Sequence, residues 1–202
     1  MHISEGILSA PVLLTGAALA VAGVAVGLKR LPPERMPQAA ILSSAFFVAS
    51  LVHVPVGFTS AHLILNGLLG AILGWAAFPA ILVALLLQAV LFQFGGLTVL
   101  GMNTTTMALP AVLCALACRP LLLSPDNRRA GLGGFICGSL AVFLSGILVA
   151  LALIGTGETF THAAWAIFLA NLPICLIEGF VTAAAVVFLR RVKPEVLSGA
   201  LA

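Results

Sequence analysis

Long, nearly uncharged apolar stretches, separated by short clusters of Pro, Gly and charged residues, account for almost the whole chain. Seven such stretches can be delimited, at residues 9–29, 37–53, 61–77, 79–94, 104–117, 131–154 and 163–190. A helix rising about 1.5 Å per residue needs roughly 20 apolar residues to cross about 30 Å of hydrocarbon, so the pattern predicts seven transmembrane helices. The third and fourth meet at Ala76-Ala77-Phe78-Pro79, which leaves room only for a tight helical hairpin. The fifth stretch is short and could extend through Leu121-Leu122-Leu123, with Arg119 and Pro120 arguing for an interfacial tail.

Composition strengthens this picture. Hydrophobic residues make up 62% of the 202 positions and charged residues 7%, which excludes a soluble domain and leaves lipid as the solvent. The expected organisation is a single all-α, polytopic membrane domain over residues 1–202. It comprises an N-terminal segment 1–8, a bundle over about 9–190 and a short tail 191–202. With these spans all nine basic residues, Lys29, Arg30, Arg35, Arg119, Arg128, Arg129, Arg190, Arg191 and Lys193, fall on one side. The positive-inside rule makes that side cytoplasmic, with the N-terminus outside and the C-terminus inside; an even number of spans would break the segregation. The expected location is a prokaryotic cytoplasmic (inner) membrane, and nothing in the chain suggests a nucleic-acid partner.

Candidate chemistry concentrates on the outer side. The chain starts Met1-His2-Ile3-Ser4-Glu5-Gly6, and Glu5 is the only charged side chain among the first eight residues. A secretory leader carries positive charge ahead of its apolar core, so no cleaved leader is expected. With Met1 retained, its amine, the His2 amide nitrogen and the His2 imidazole can close two adjacent chelate rings on one cation. Nitrogen-only tetragonal coordination of that kind suits Ni(II) or Cu(II), and Co(II) can also use it. His2, His53, His62 and His162 all fall at or near the outer face. The segment His53-Val54-Pro55-Val56-Gly57-Phe58-Thr59-Ser60-Ala61-His62 is broken by Pro55 and Gly57 and reads as a loop, with His62 opening the next helix. Either His53 or His62 could supply a fourth ligand. A second outer loop, 94–103, carries three glycines and Asn103, whose amide offers both a donor and an acceptor.

Other polar residues are fewer. Glu178 lies within the last span and is a functional candidate on that ground; near Asn171 and Pro173 it could equally stabilise a kink or touch another subunit. Gln88 and Gln93 read as helix-to-helix hydrogen bonds or as part of an ion path. Cys114, Cys118, Cys137 and Cys175 include no C-x-x-C pair and read as small apolar residues. Small residues spaced by four, Gly16 with Ala20, Gly23 with Gly27 and Ala45 with Ala49, favour close helix packing within the bundle.

Three separated motifs in order resemble the CbiM/NikM family: Met1-His2-Ile3 with Glu5-Gly6, Thr59-Ser60-Ala61-His62, and Gly95-Gly96-Leu97-Thr98-Val99-Leu100-Gly101-Met102-Asn103 followed by Met107. That family comprises substrate-specificity membrane subunits of energy-coupling-factor transporters for cobalt and nickel. The resemblance covers nearly the whole chain. It implies Met1, His2 and His62 as metal ligands, Ser60 and Asn103 as supporting residues around them, and His53 as the weaker alternative. It further implies Ni2+ or Co2+ as transported substrate, a transmembrane coupling subunit, a pair of cytoplasmic ATPases and a small accessory membrane subunit as partners. Cobalt-type members commonly have Cys-Ser-His-Pro where this chain has Ser60-Ala61-His62-Leu63, so the resemblance leaves the metal open. No Walker A sequence is present, because Lys29 is followed by Arg30 and Lys193 by Pro194. The chain is therefore not expected to be an enzyme by itself or to hold ATP. The alternative reading is a stand-alone secondary metal-ion permease coupled through Glu178 with Gln88 and Gln93.

Overall fold

A computed structural model of the chain describes residues 3–51, 53–56, 59–157 and 160–198, with no side-chain description for residues 53–56, 59–62, 163, 164, 167 and 198. Among the described residues the architecture is all-helical apart from one pair of strands. In chain order it comprises α1 (Ala10–Lys29), α2 (Met36–Leu51), β1 (His53–Val56), β2 (Thr59–His62), α3 (Asn66–Leu73), α4 (Ala77–Phe92), α5 (Leu100–Leu122), α6 (Asn127–Ile154), α7 (Thr161–Val192) and α8 (Glu195–Ser198). Among the described residues, five helical segments are long and apolar enough to cross a membrane: Ala10–Lys29, Asn66–Phe92, Leu100–Leu122, Asn127–Ile154 and Phe168–Val192. The second of these is not one rod. Gly74 takes φ 56 and ψ −128, and a single 3-10 turn, Gly74–Ala76, separates α3 from α4.

That turn reverses the chain, as the Ala76-to-Pro79 hairpin predicts. It lies at the end of the bundle where α1 finishes: Arg30 sits 5.6 Å over the Trp75 ring, and Arg35 donates to the Ile72 carbonyl at 2.8 Å. α4 then climbs to the other end, where Phe92 meets Phe47 and Gln88 donates to Ser50 of α2. Gln88 is thus a helix-to-helix tie. At the lower end Arg190 donates to the Pro125 carbonyl at 3.0 Å, and Leu197 of α8 is buried with Leu122, Ile72 and Ala130. The basic residues of α1, α7 and the loops around Arg35 and Pro125 therefore gather at one end, as the charge pattern requires.

The fifth helix takes the extension its apolar tail allowed: α5 runs on through Leu122 with Pro110 and Pro120 inside it. Two sequence expectations change. Residues 53–56 and 59–62 are paired antiparallel strands, with His53 opposite His62, Val54 opposite Ala61, Pro55 opposite Ser60 and Val56 opposite Thr59. Finally, His62 does not open a helix. It ends β2, and helix resumes only at Asn66, after Leu65 has taken a left-handed conformation with φ 55. The amides of Ile64 and Leu65 are drawn to a carboxylate on α7, which prevents an earlier start.

The small residues of α1 face inward, as expected of packing within one bundle. Gly16, Ala20, Gly23 and Gly27 form its buried face: Gly16 lies against Met102, Gly23 against the Phe78 ring and Gly27 against Pro79 and the Trp75 carbonyl. Without side chains in the way the helices approach closely and gain dispersion contacts, which is what drives association in lipid. Thr105 adds a hydrogen bond to the Gly16 carbonyl at 2.8 Å. Ala45 of α2, by contrast, is exposed.

Candidate metal centre

The N-terminal segment is held against the first turn of α5. Asn103, 2% exposed, makes a two-point clamp on Ile3: its Oδ1 accepts from the Ile3 amide at 3.0 Å and its Nδ2 donates to the Ile3 carbonyl at 3.1 Å. One side chain thereby satisfies both main-chain groups of a buried residue, which would otherwise cost free energy on leaving water. Asn103 lies within a helix rather than in the loop expected from the three glycines, since α5 starts at Leu100.

Glu5 forms a second latch. Its amide donates to the Gly95 carbonyl at 2.9 Å, and its Oε1 accepts from the Thr98 amide at 3.1 Å. Hydrogen bonding by Thr98 holds the Glu5 carboxyl below its ordinary value of 4.5. Gly96, with φ +136, permits this approach: a Cβ there would collide with the Glu5 side chain. The glycine loop therefore packs against the tail and is not merely a hairpin.

The chain leaving the paired strands is anchored one helical turn further along α5. Asn66, fully buried, donates to the Met107 carbonyl at 3.0 Å and to Ser145 Oγ at 2.9 Å, and its Oδ1 accepts from the Gly67 amide at 2.9 Å. Met107 is four residues beyond Asn103, about 6 Å along the helix axis. Two segments distant in sequence are thus fastened to neighbouring turns of one helix. Ile3 follows His2 directly, and His62 precedes Asn66 by four residues, an extended reach of at most about 14 Å.

Met1 and His2 lie outside the described residues, and so do the side chains of His53, Ser60 and His62; what is described are the main-chain positions flanking them. Among the described side chains no group of three or more His, Cys, Asp or Glu could hold a metal ion. Cys114, Cys118, Cys137 and Cys175 are free and buried within helices. His162, at the start of α7, is exposed. Sequence reasoning assigned no role to Glu5 or Asn66. The legible signals were an acid in an otherwise uncharged tail and an amide side chain within an apolar run.

A bundle of apolar helices that fastens its N-terminal tail and the segment leaving the paired strands to one helix defines a multi-pass membrane protein. The family profile described as cobalt uptake substrate-specific transmembrane region matches residues 2–196. A "Putative metal transport protein" of Haemophilus influenzae is 43% identical over 203 residues, covering 98% of this chain and 97% of that protein. The "Fused nickel transport protein NikMN" of Rhodobacter capsulatus is 32% identical over 225 residues, covering 98% of this chain and 64% of its own length. A crystal structure of a transition metal transporter superposes with a TM-score of 0.74 at 27% identity, over 95% of this chain and 93% of that one. The chain belongs to the CbiM family of membrane proteins for cobalt and nickel transport.

Proposed function

We propose that this chain is the substrate-capturing membrane subunit of an energy-coupling-factor importer, taking up Ni2+ or Co2+ at the outer face. The ligands are the Met1 amine, the His2 amide and imidazole nitrogens, and the His62 imidazole. The observation that carries this reading is the anchoring of both ligand-bearing segments to adjacent turns of α5, Ile3 on Asn103 and Asn66 on Met107. Preorganised in this way, four nitrogens can meet one cation without the entropic cost of ordering a free tail at the moment of binding. Ser60 lies on the same strand as His62 and supports it.

Energy for import comes from partners: a transmembrane coupling subunit and a cytoplasmic ATPase pair, docked on this bundle. The fusion named for the nickel relative supports a further, small membrane subunit. The basic end carrying Arg30, Arg35 and Arg190 faces the cytoplasm. Reading the chain as a stand-alone permease asks Glu178 to shuttle charge, whereas its Oε1 is engaged by two main-chain amides. The reading requires Met1 to be the mature terminus. Calorimetric titration with Ni2+ and Co2+ tests it: one uncleaved residue added ahead of Met1, or His2→Ala, should abolish tight binding while the helical content is retained, and unchanged affinity would refute the chelate.

A further inference from the structure

Glu178 lies midway along α7 and is fully buried. A carboxylate in such a place is costly unless it is hydrogen-bonded. Its bonds do not go to its own helix, as they would for a kink-stabilising acid beside Pro173. Oε1 instead accepts from the amide of Ile64 and, at 2.8 Å, from the amide of Leu65, more than a hundred residues away in sequence. Oε2 makes no hydrogen bond among the described residues. The two amides immediately precede α3, whose eight residues start at Asn66 and run down between α5 and α6. The left-handed Leu65, a conformation that costs a branched or bulky residue free energy, is held by this contact on one side and by the Asn66 bonds on the other.

We propose that Glu178 is a positioning residue for the metal site: through Oε1 it holds the Ile64–Leu65 turn and thereby sets where the His62 end of β2 lies relative to the N-terminal tail. Ile64 is two residues from His62, at most about 7 Å of chain, and β2 itself packs against α7. A slackened turn lets the His62 backbone drift by a distance that matters to a metal–nitrogen bond. This proposal rests on His62 being a ligand, as argued above. The part of Glu178 that acts is an acceptor oxygen, not a charge.

The test is a Ni2+ titration of the purified full chain in detergent, read by affinity and by the ligand-field spectrum of the bound ion. Glu178→Leu removes the acceptor and should weaken binding at least about tenfold with an altered spectrum, whereas Glu178→Gln keeps a carbonyl oxygen and should stay within about threefold with the wild-type spectrum. In a His62→Ala background Glu178→Leu should cost nothing further, because both changes remove one interaction; a merely structural role would still lower affinity there. Wild-type affinity and spectrum in Glu178→Leu would overturn the proposal, as would Gln binding as weakly as Leu, which would assign the role to charge. If Glu178→Leu fails to fold, Glu178→Asp withdraws the acceptor by one methylene: at least about a threefold loss with an altered spectrum is expected, and unchanged binding overturns the proposal. Absence of Ni2+ and Co2+ binding by the wild-type chain would overturn the metal reading itself, and this inference with it.

Discussion

Replacing Asn103 by Ala removes the clamp on Ile3 without disturbing α5, since Ala is the best helix former and Asn103 donates its own amide to Val99 in the ordinary way. Two hydrogen bonds, at 3.0 and 3.1 Å, are lost. Each contributes about 0.5–1.5 kcal/mol net, and a buried main-chain group left unpaired costs about 1–3 kcal/mol. The tail can undock and hydrate those groups in the free protein, but the metal-bound form must dock it again with the groups unpaired. The penalty therefore falls on binding: two unpaired main-chain groups make about 2–6 kcal/mol, a rise in Kd of at least about thirtyfold. Isothermal titration of the variant with Ni2+ measures this directly, and amide hydrogen exchange at Ile3 should rise in parallel. Affinity within about twofold of wild type would show that the clamp does not order the ligands, and the preorganisation argument would fail.

Three further outcomes follow from the same geometry. His62→Ala should lower metal affinity at least about tenfold, on the order of 1.4 kcal/mol, and His53→Ala less; titration giving the reverse order would move the fourth ligand to β1. Gly70→Ala places a methyl against the Ala111 backbone where α3 crosses α5 and should destabilise the bundle by about 1–3 kcal/mol, seen as a lower thermal midpoint in detergent; an unchanged midpoint would refute the tight crossing. Glu5, whose carboxyl is held below 4.5 by Thr98, stabilises the docked tail fully above that value and loses the contribution as pH falls through its lowered folded value. Limited proteolysis of the metal-free tail should therefore accelerate below about pH 4.5 in wild type and not in Glu5→Gln, and equal acid profiles would rule the latch out.

Much of the helical pattern was legible because lipid imposes it. Lys29 and Arg190 sit within two residues of the ends of α1 and α7, since a charge marks where hydrocarbon stops. Pro120 lies inside α5, since in a bundle a helix can pass through a proline. His62 seemed to begin a helix because its local sequence is apolar, yet the amides of Ile64 and Leu65 bond Glu178, and no local pattern encodes a partner 114 positions away. Asn103 was recognisable from its chemistry as an amide able to donate and accept at once. Its partner, the Ile3 main chain, was not, because main-chain recognition leaves no complementary residue type to find. Glu5 belonged to the same motif as His2, but its work is done on the Thr98 amide and is equally silent in side-chain identities.

The ligand set of the bound ion is the most direct test of the central claim. X-ray absorption on the purified, Ni2+-loaded chain with Met1 as its free terminus should give four nitrogen donors in a planar, low-spin site without sulfur, and the His62→Ala variant should lose one nitrogen from that shell. A six-coordinate, oxygen-dominated shell, a sulfur ligand, or a spectrum indifferent to His62 would contradict the account.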